Sequence, residues 1–188
     1  MADFILAYKK AYKHEEGYSN NPNKKENYFD GVLIGSNHGI SPELVFKHLD
    51  IIPSVEFMIN LNYKKSLSIK KREFWNLIEG DNIKNQSVAT LLYDTLTNEG
   101  LNFTKKSLKK ALEVQGYIFQ GINYNQINSC CERSLFYSII NDRLDKTSNE
   151  DLSKLIFIDR KKSKNYLYIA ALFLLILIMF LLYKSITL

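Results

Sequence analysis

In HEEGYSNNPN, His14 to Asn23, two adjacent carboxylates stand before a glycine, a tyrosine and a turn. The residues ahead of them, Phe4, Ala7, Tyr8, Ala11 and Tyr12, recur at helical spacing, which predicts an amphipathic helix ending about Glu16 with Gly17 as its C-cap. Carried to that end, the helix sets Glu15 three and four residues after Tyr12 and Ala11, so Glu15 continues the apolar stripe. Glu16 is rotated by about a hundred degrees. It follows Lys13 and Lys9 by three and seven residues, an ion-paired, solvated position. A carboxyl held against apolar and aromatic groups is disfavoured in its charged form, so its pKa rises and it can hold a proton near neutral pH. General acid catalysis needs such a group wherever a leaving oxygen must be protonated as its bond breaks, as in glycoside cleavage. Helix-terminal glutamates are common, so helical phase separates Glu15 from Glu16 without making it catalytic.

The elements that would hold this carboxylate follow along the chain. Tyr18 to Ile40 is rich in Asn and carries Pro22, Gly31, Gly35 and Gly39, which predicts a long loop with a short hairpin around NYFDGVLIG. Loops of this length are usually functional or disordered. Helix signals then resume: Ser41 caps with Pro42 in the first turn, and Ser54 starts a segment after Pro53. SLSIKKREFWNLIEG predicts a helix carrying Phe74, Trp75 and Ile78 and closed by Gly80, and NQSVATLLYDTLTNEG offers Val88, Leu91, Leu92 and Leu96 to the core. Thr104 is expected to cap KKSLKKALEVQG, Asn128 or Ser129 to begin CCERSLFYSIINDRL, and Ser148 to start a last segment. The fold class is mainly α with one long early loop, and no internal repeat, heptad seam or low-complexity linker interrupts it.

With 188 residues, 46% of them hydrophobic, the chain can build one domain with a proper core. Its net charge of +5 suits a polyanionic partner, whether nucleic acid, an anionic membrane surface or a cell-wall polymer, although lysines in such a composition are more often simply solvated surface. No recognition-helix, RNA-binding or phosphate-loop signature is present, so no nucleic acid is expected. Cys130 and Cys131 are neighbours, and a ring closed between adjacent residues is strained, so they are no disulfide framework. His14, His38 and His48 lack the spacing and partners of a zinc site, so neither a metal nor another cofactor is expected.

YLYIAALFLLILIMFLLY, Tyr166 to Tyr183, is free of charge and nearly long enough to cross a hydrocarbon layer of roughly 30 Å. It predicts a C-terminal transmembrane helix in contact with the lipid bilayer, with Tyr166, Tyr168 and Tyr183 at the headgroup level. Arg160, Lys161, Lys162 and Lys164 outnumber Lys184, so the positive-inside rule favours a cytoplasmic N-terminal domain for this single-pass protein, with a domain facing the periplasm as the alternative. MADFILAYKKAYKHEE is too charged to read as a signal peptide.

HEEGY followed by SNNPN and then by NHGIS resembles the lysozyme-like N-acetylmuramidases of glycoside hydrolase family 108. On that motif Glu15 takes the place of the family's catalytic glutamate, Gly17 and Tyr18 match its second glycine and its tyrosine, and Asn20, Pro22, Asn37, Gly39 and Ile40 continue the match. Phe74, Trp75, Asp94 and Asn98 fall on positions of the family's second half, and Glu16 stands where the motif has its first glycine. The resemblance implies a bacterial or phage-encoded protein of phage-endolysin type. It would hydrolyse the β-1,4 bond between N-acetylmuramic acid and N-acetylglucosamine in peptidoglycan, with Glu15 protonating the glycosidic oxygen. Asp30 and Glu26 lie in the loop that would close over the sugar and are candidates for a second carboxylate, whereas Asp94 reads as structural. Tyr18, Asn37 and His38 are candidate substrate-binding groups, since sugars need stacking faces and donors, and a role in stabilising turns is equally open for each. The expected organisation is a lysozyme-like domain over residues 1–122, a helical extension over 123–159 resembling a peptidoglycan-binding tail, a basic segment over 160–165 and the transmembrane helix over 166–183. The alternative is a non-catalytic peptidoglycan-binding or morphogenesis protein on the same fold, motivated by Glu16 and by the altered loop NKKENYFDG.

Overall fold

Asp3 starts the first helix by accepting the Leu6 N–H at 2.8 Å, and α1 runs from Phe4–Ala11 with Tyr12 as its C-cap. The computed structural model describes residues 1–12 and 17–144. α1 thus stops short of the expected end at Glu16, and the exposed Gly17 is not its cap. Met1–Ile139 form one compact unit and Ile140–Leu188 a second, of which only residues 140–144 are described.

The early loop is built by backbone pairing. β1 (Tyr28–Phe29) and β2 (Val32–Leu33) form an antiparallel hairpin with Tyr28 opposite Leu33 and Phe29 opposite Val32. Asp30 and Gly31 turn it with φ of 48° and 80°, the two positive values that a two-residue type I′ turn requires. The N–H groups of Ile34 and Gly35 both donate to the Asn27 carbonyl at 2.9 Å, and Ser19 bridges Ser36. The loop is therefore ordered without a long strand.

Ser41 and Ser54 cap α2 (Pro42–Leu49) and α3 (Val55–Ile59) as expected. α4 (Tyr63–Lys70) continues into a π turn over Lys71–Trp75 and a 3-10 turn over Asn76–Ile78. The left-handed residue that ends this run is Glu79, with φ of 52°, where Gly80 was expected. Gly80 instead lies directly beneath the Trp75 ring, where a Cβ would collide with the indole. α5 (Gln86–Glu113) joins two segments that the sequence separates; Gly100, at φ 81° and ψ 171°, breaks it, and Thr104 is interior to its second half, its hydroxyl donating to the Gly100 carbonyl at 2.9 Å. A short α6 (Tyr124–Ser129), capped by Asn123, precedes α7 (Glu132–Leu144), so neither Asn128 nor Ser129 begins the last described helix. The segment expected from Ser148 lies outside the described residues.

Two cores fill the first unit. α1 packs along α5, where Phe4, Tyr8, Phe74, Trp75 and Tyr93 form an aromatic cluster; Phe4 meets Trp75 and Tyr93 at 5.8 Å each between ring centroids. The second core is aliphatic, with Ile34, Ile40, Val45, Met58, Leu61 and Ile69 buried and Tyr18 and Phe29 packed against it.

The mainly helical expectation is met by seven α-helices among the described residues, but its membrane component is corrected. Among the described residues no helix is long and apolar enough to cross a membrane. The longest, α5, carries Lys105, Lys106, Lys109 and Lys110 and is broken at Gly100. The described residues therefore include no transmembrane helix, and they give no basis for bilayer contact or a single-pass location. The stretch 166–183 on which that expectation was built lies outside the described residues.

Candidate functional site

Glu15, with its neighbour Glu16, lies outside the described residues; the described chain reaches it from Tyr12 on one side and Gly17 on the other. Tyr12 stacks on Tyr8 at 5.2 Å and 28°, and meets Tyr93 edge-on at 6.3 Å. Burial raises the Tyr12 phenol above its ordinary pKa despite the hydrogen bond it makes with Thr97, and the Asp94 carboxylate adds to the rise. The approach to Glu15 is thus held against the polar edge of α5, where Asn98 donates from Nδ2 to the Asp94 carbonyl at 2.8 Å and to its carboxylate at 3.1 Å. Burial, with further contributions from Tyr12, Tyr8 and Asp94, raises the Tyr93 phenol as well.

On the far side of Glu15, the Tyr18 hydroxyl donates to the Ile34 carbonyl at 2.9 Å. Its ring passes so close to Gly35 that a Cβ there would stand 2.6 Å from it. Because Ser19 bridges Ser36, Tyr18 is brought beside the turn that carries Asn37 and His38. Asn37 is 4% exposed and donates from Nδ2 to the Met58 and Ile59 carbonyls at 2.7 and 3.1 Å, which ties the turn to the end of α3. Its Oδ1 is buried with no hydrogen-bond partner among the described residues, and so is Nδ1 of His38. His38 sits in left-handed backbone at φ 50° and packs edge-on against Tyr63 at 5.6 Å.

Tyr18, Asn37 and His38 are thus brought together, each with a structural contact of its own. Glu26 and Asp30 are both exposed and lie apart from that group, in the 3-10 turn over Lys25–Asn27 and at the hairpin tip. Phe74 and Trp75 serve the aromatic core; the Trp75 indole donates to Asp81 at 2.8 Å. That bond, outweighing burial and joined by Lys71, holds the Asp81 carboxyl below its ordinary pKa.

One charged side chain of this neighbourhood received no weight in the sequence. Lys70, 1% exposed, places Nζ 3.8 Å from the Tyr12 ring centroid and 4.8 Å from that of Tyr8. The buried members of α4 are Ser66, Ile69 and Lys70, an i, i+3, i+4 stripe. A lysine on the stripe set by Ile69 is the signal that could have found it. Among the described residues no three His, Cys, Asp or Glu side chains gather as a metal would require.

The family model for glycosyl hydrolase 108 matches residues 8–100. The fold is similar to that of Brucella abortus SagA, with a TM-score of 0.59 and 19% sequence identity over 76% of this chain and 78% of that one. No curated protein matches the chain.

Proposed function

The chain belongs to the glycosyl hydrolase 108 family through residues 8–100, and on that premise we propose that it is a lysozyme-like muramidase. It would cleave the β-1,4 bond between N-acetylmuramic acid and N-acetylglucosamine in peptidoglycan. The family match carries this reading, because residues 8–100 include Glu15, Tyr18, Asn37 and His38 together. Glu15 is the general acid: its carboxyl delivers a proton to the glycosidic oxygen as the bond to the anomeric carbon breaks, so the sugar leaves as an alcohol.

The neighbouring groups support substrate binding. Asn37 Oδ1 and His38 Nδ1 are buried polar atoms whose hydrogen-bonding capacity the described residues leave unused. An acetamido N–H or a sugar hydroxyl would donate to Asn37 Oδ1, and a sugar hydroxyl can serve His38 Nδ1 in either tautomer. Tyr18 offers a half-buried ring beside the turn that carries them. For the second carboxylate we propose Asp30 or Glu26, the exposed acids of the loop. Release of reducing sugar from purified peptidoglycan tests the reading: the wild-type chain should release it, and Glu15→Gln should lower the rate by a factor of at least about 100. Asp30→Asn and Glu26→Gln then identify the second group by which of them loses turnover. A wild-type chain that releases none refutes hydrolysis.

Glu16, standing where the motif has glycine, favours a second reading in which the fold binds glycan strands without cutting them. That reading requires sedimentation with sacculi, unchanged by Glu15→Gln, in the absence of cleavage.

A further inference from the structure

Lysine ordinarily buries its stem and keeps its ammonium in water, so a lysine at 1% exposure is unusual. Taking the charge out of water is costly, and methionine or leucine would fill the same space without that cost. What the ammonium touches gives the position its meaning. On one side it lies over the rings of Tyr8 and Tyr12, at the end of α1. On the other it lies under the turn that carries His38, where a Cβ on Gly39 would stand 3.1 Å from Nζ. The π turn over Lys71–Trp75 begins immediately after it, a local widening of the helix that is frequent at functional sites.

We propose that Lys70 is a positioning residue of the glycan-cleaving site. Its buried charge fixes the end of α1, three residues before Glu15 in the sequence, against the His38–Gly39 turn. The proposal rests on the muramidase reading for its catalytic consequence but not for its structural one. The cationic head keeps Tyr12 and the turn at a set separation, because, among the described residues, the ring faces lie on one side of the nitrogen and the place a Gly39 Cβ would occupy lies on the other. Removing the charge frees the turn to shift, and a displacement of about 1 Å at a reacting centre lowers turnover by up to roughly 100-fold.

The test uses the full chain with Lys70→Met, which keeps the unbranched stem one atom short of Nζ and removes the charge, and Lys70→Gln as a milder variant should the first fail to fold. Far-ultraviolet circular dichroism checks folding. The imidazole signals of His38, identified through His38→Gln, are read by NMR, and kcat and KM are measured on purified peptidoglycan. The expected result is a displaced His38 signal with the His48 signal unmoved, and kcat lowered by about 10- to 100-fold with KM changed less than about twofold. An unmoved His38 signal or a wild-type kcat in a folded variant overturns the proposal. If the wild-type chain cleaves nothing, the muramidase reading fails alone, and the His38 signal still decides whether Lys70 holds the turn.

Discussion

The aromatic core between α1 and α5 and the aliphatic core under the early loop hold their parts of the site by different means. In the first, Phe4, Tyr8, Tyr12, Trp75 and Tyr93 touch ring to ring from helices and turns far apart in sequence, and position follows from shape. In the second, small residues and backbone hydrogen bonds do the holding: Asn27 gathers the N–H groups of Ile34 and Gly35, and Asn37 reaches the end of α3. The ring-packed side is expected to resist small displacements and fail when volume is lost. The backbone-bonded side is expected to tolerate lost volume and fail when a single donor or a missing Cβ is changed.

The strongest way to break this contrast is Trp75→Ala, which removes a fully buried ring and should cost about 3–5 kcal/mol in a urea titration. A loss below about 1 kcal/mol would show that the aromatic side does not depend on volume. Next comes Gly35→Ala, where the added methyl meets the Tyr18 ring; overpacking of this kind costs about 1–3 kcal/mol, read in the same urea titration. Asn37→Leu keeps the branched heavy-atom skeleton but deletes the donor to Met58 and Ile59, leaving two carbonyls short, for an expected loss of about 1–3 kcal/mol by thermal melting. A neutral result would mean that turn and helix are held by packing.

The smallest effect sharpens the edge of the aliphatic side. Burial alone would raise the Glu73 carboxyl, but hydrogen bonds from Lys47 and His48 and their charges outweigh it and hold it below its ordinary pKa. A carboxylate whose folded pKa is depressed stabilises the fold above its unfolded pKa and loses that contribution as pH falls through the folded one. Glu73→Gln should therefore lower the melting temperature by a few degrees at neutral pH. The difference should vanish as the pH is lowered through the folded pKa of this carboxyl. A constant difference across that range would assign the effect to packing.

Where a local chemical signal has one structural meaning, it was legible. Ser41 with Pro42, Ser54 after Pro53, and Asp30–Gly31 between two apolar pairs gave the caps and the hairpin where they stand. Ambiguous signals failed. Thr104 reads as a cap because its hydroxyl bonds backbone, but threonine does the same inside a helix by donating to the fourth carbonyl back. α1 ends at Ala11 although the apolar spacing runs on through Tyr12, since Tyr12 earns its burial from Tyr93 and Thr97 rather than from helical phase. Tyr18, Asn37 and His38 were picked out for what sugars require, and the loop does gather them; that Asn37 also holds α3 depends on a contact spanning 21 residues, which spacing does not show. Lys70 was hidden because one lysine among many reads as surface, whereas its burial depends on tertiary neighbours, among the described residues the end of α1 and the turn at Gly39.

The break at Gly100 divides α5 into two stretches that need not share a helical register. Leu91, Leu92 and Leu96 face the core from the first, and Leu108, Ala111 and Leu112 from the second. In an unbroken helix each added residue would rotate everything after it by about 100°. A backbone conformation open essentially to glycine alone resets that rotation. Length changes at this joint are therefore absorbed locally, and the part of α5 that packs on α1 can keep its orientation whatever chain is appended beyond residue 100.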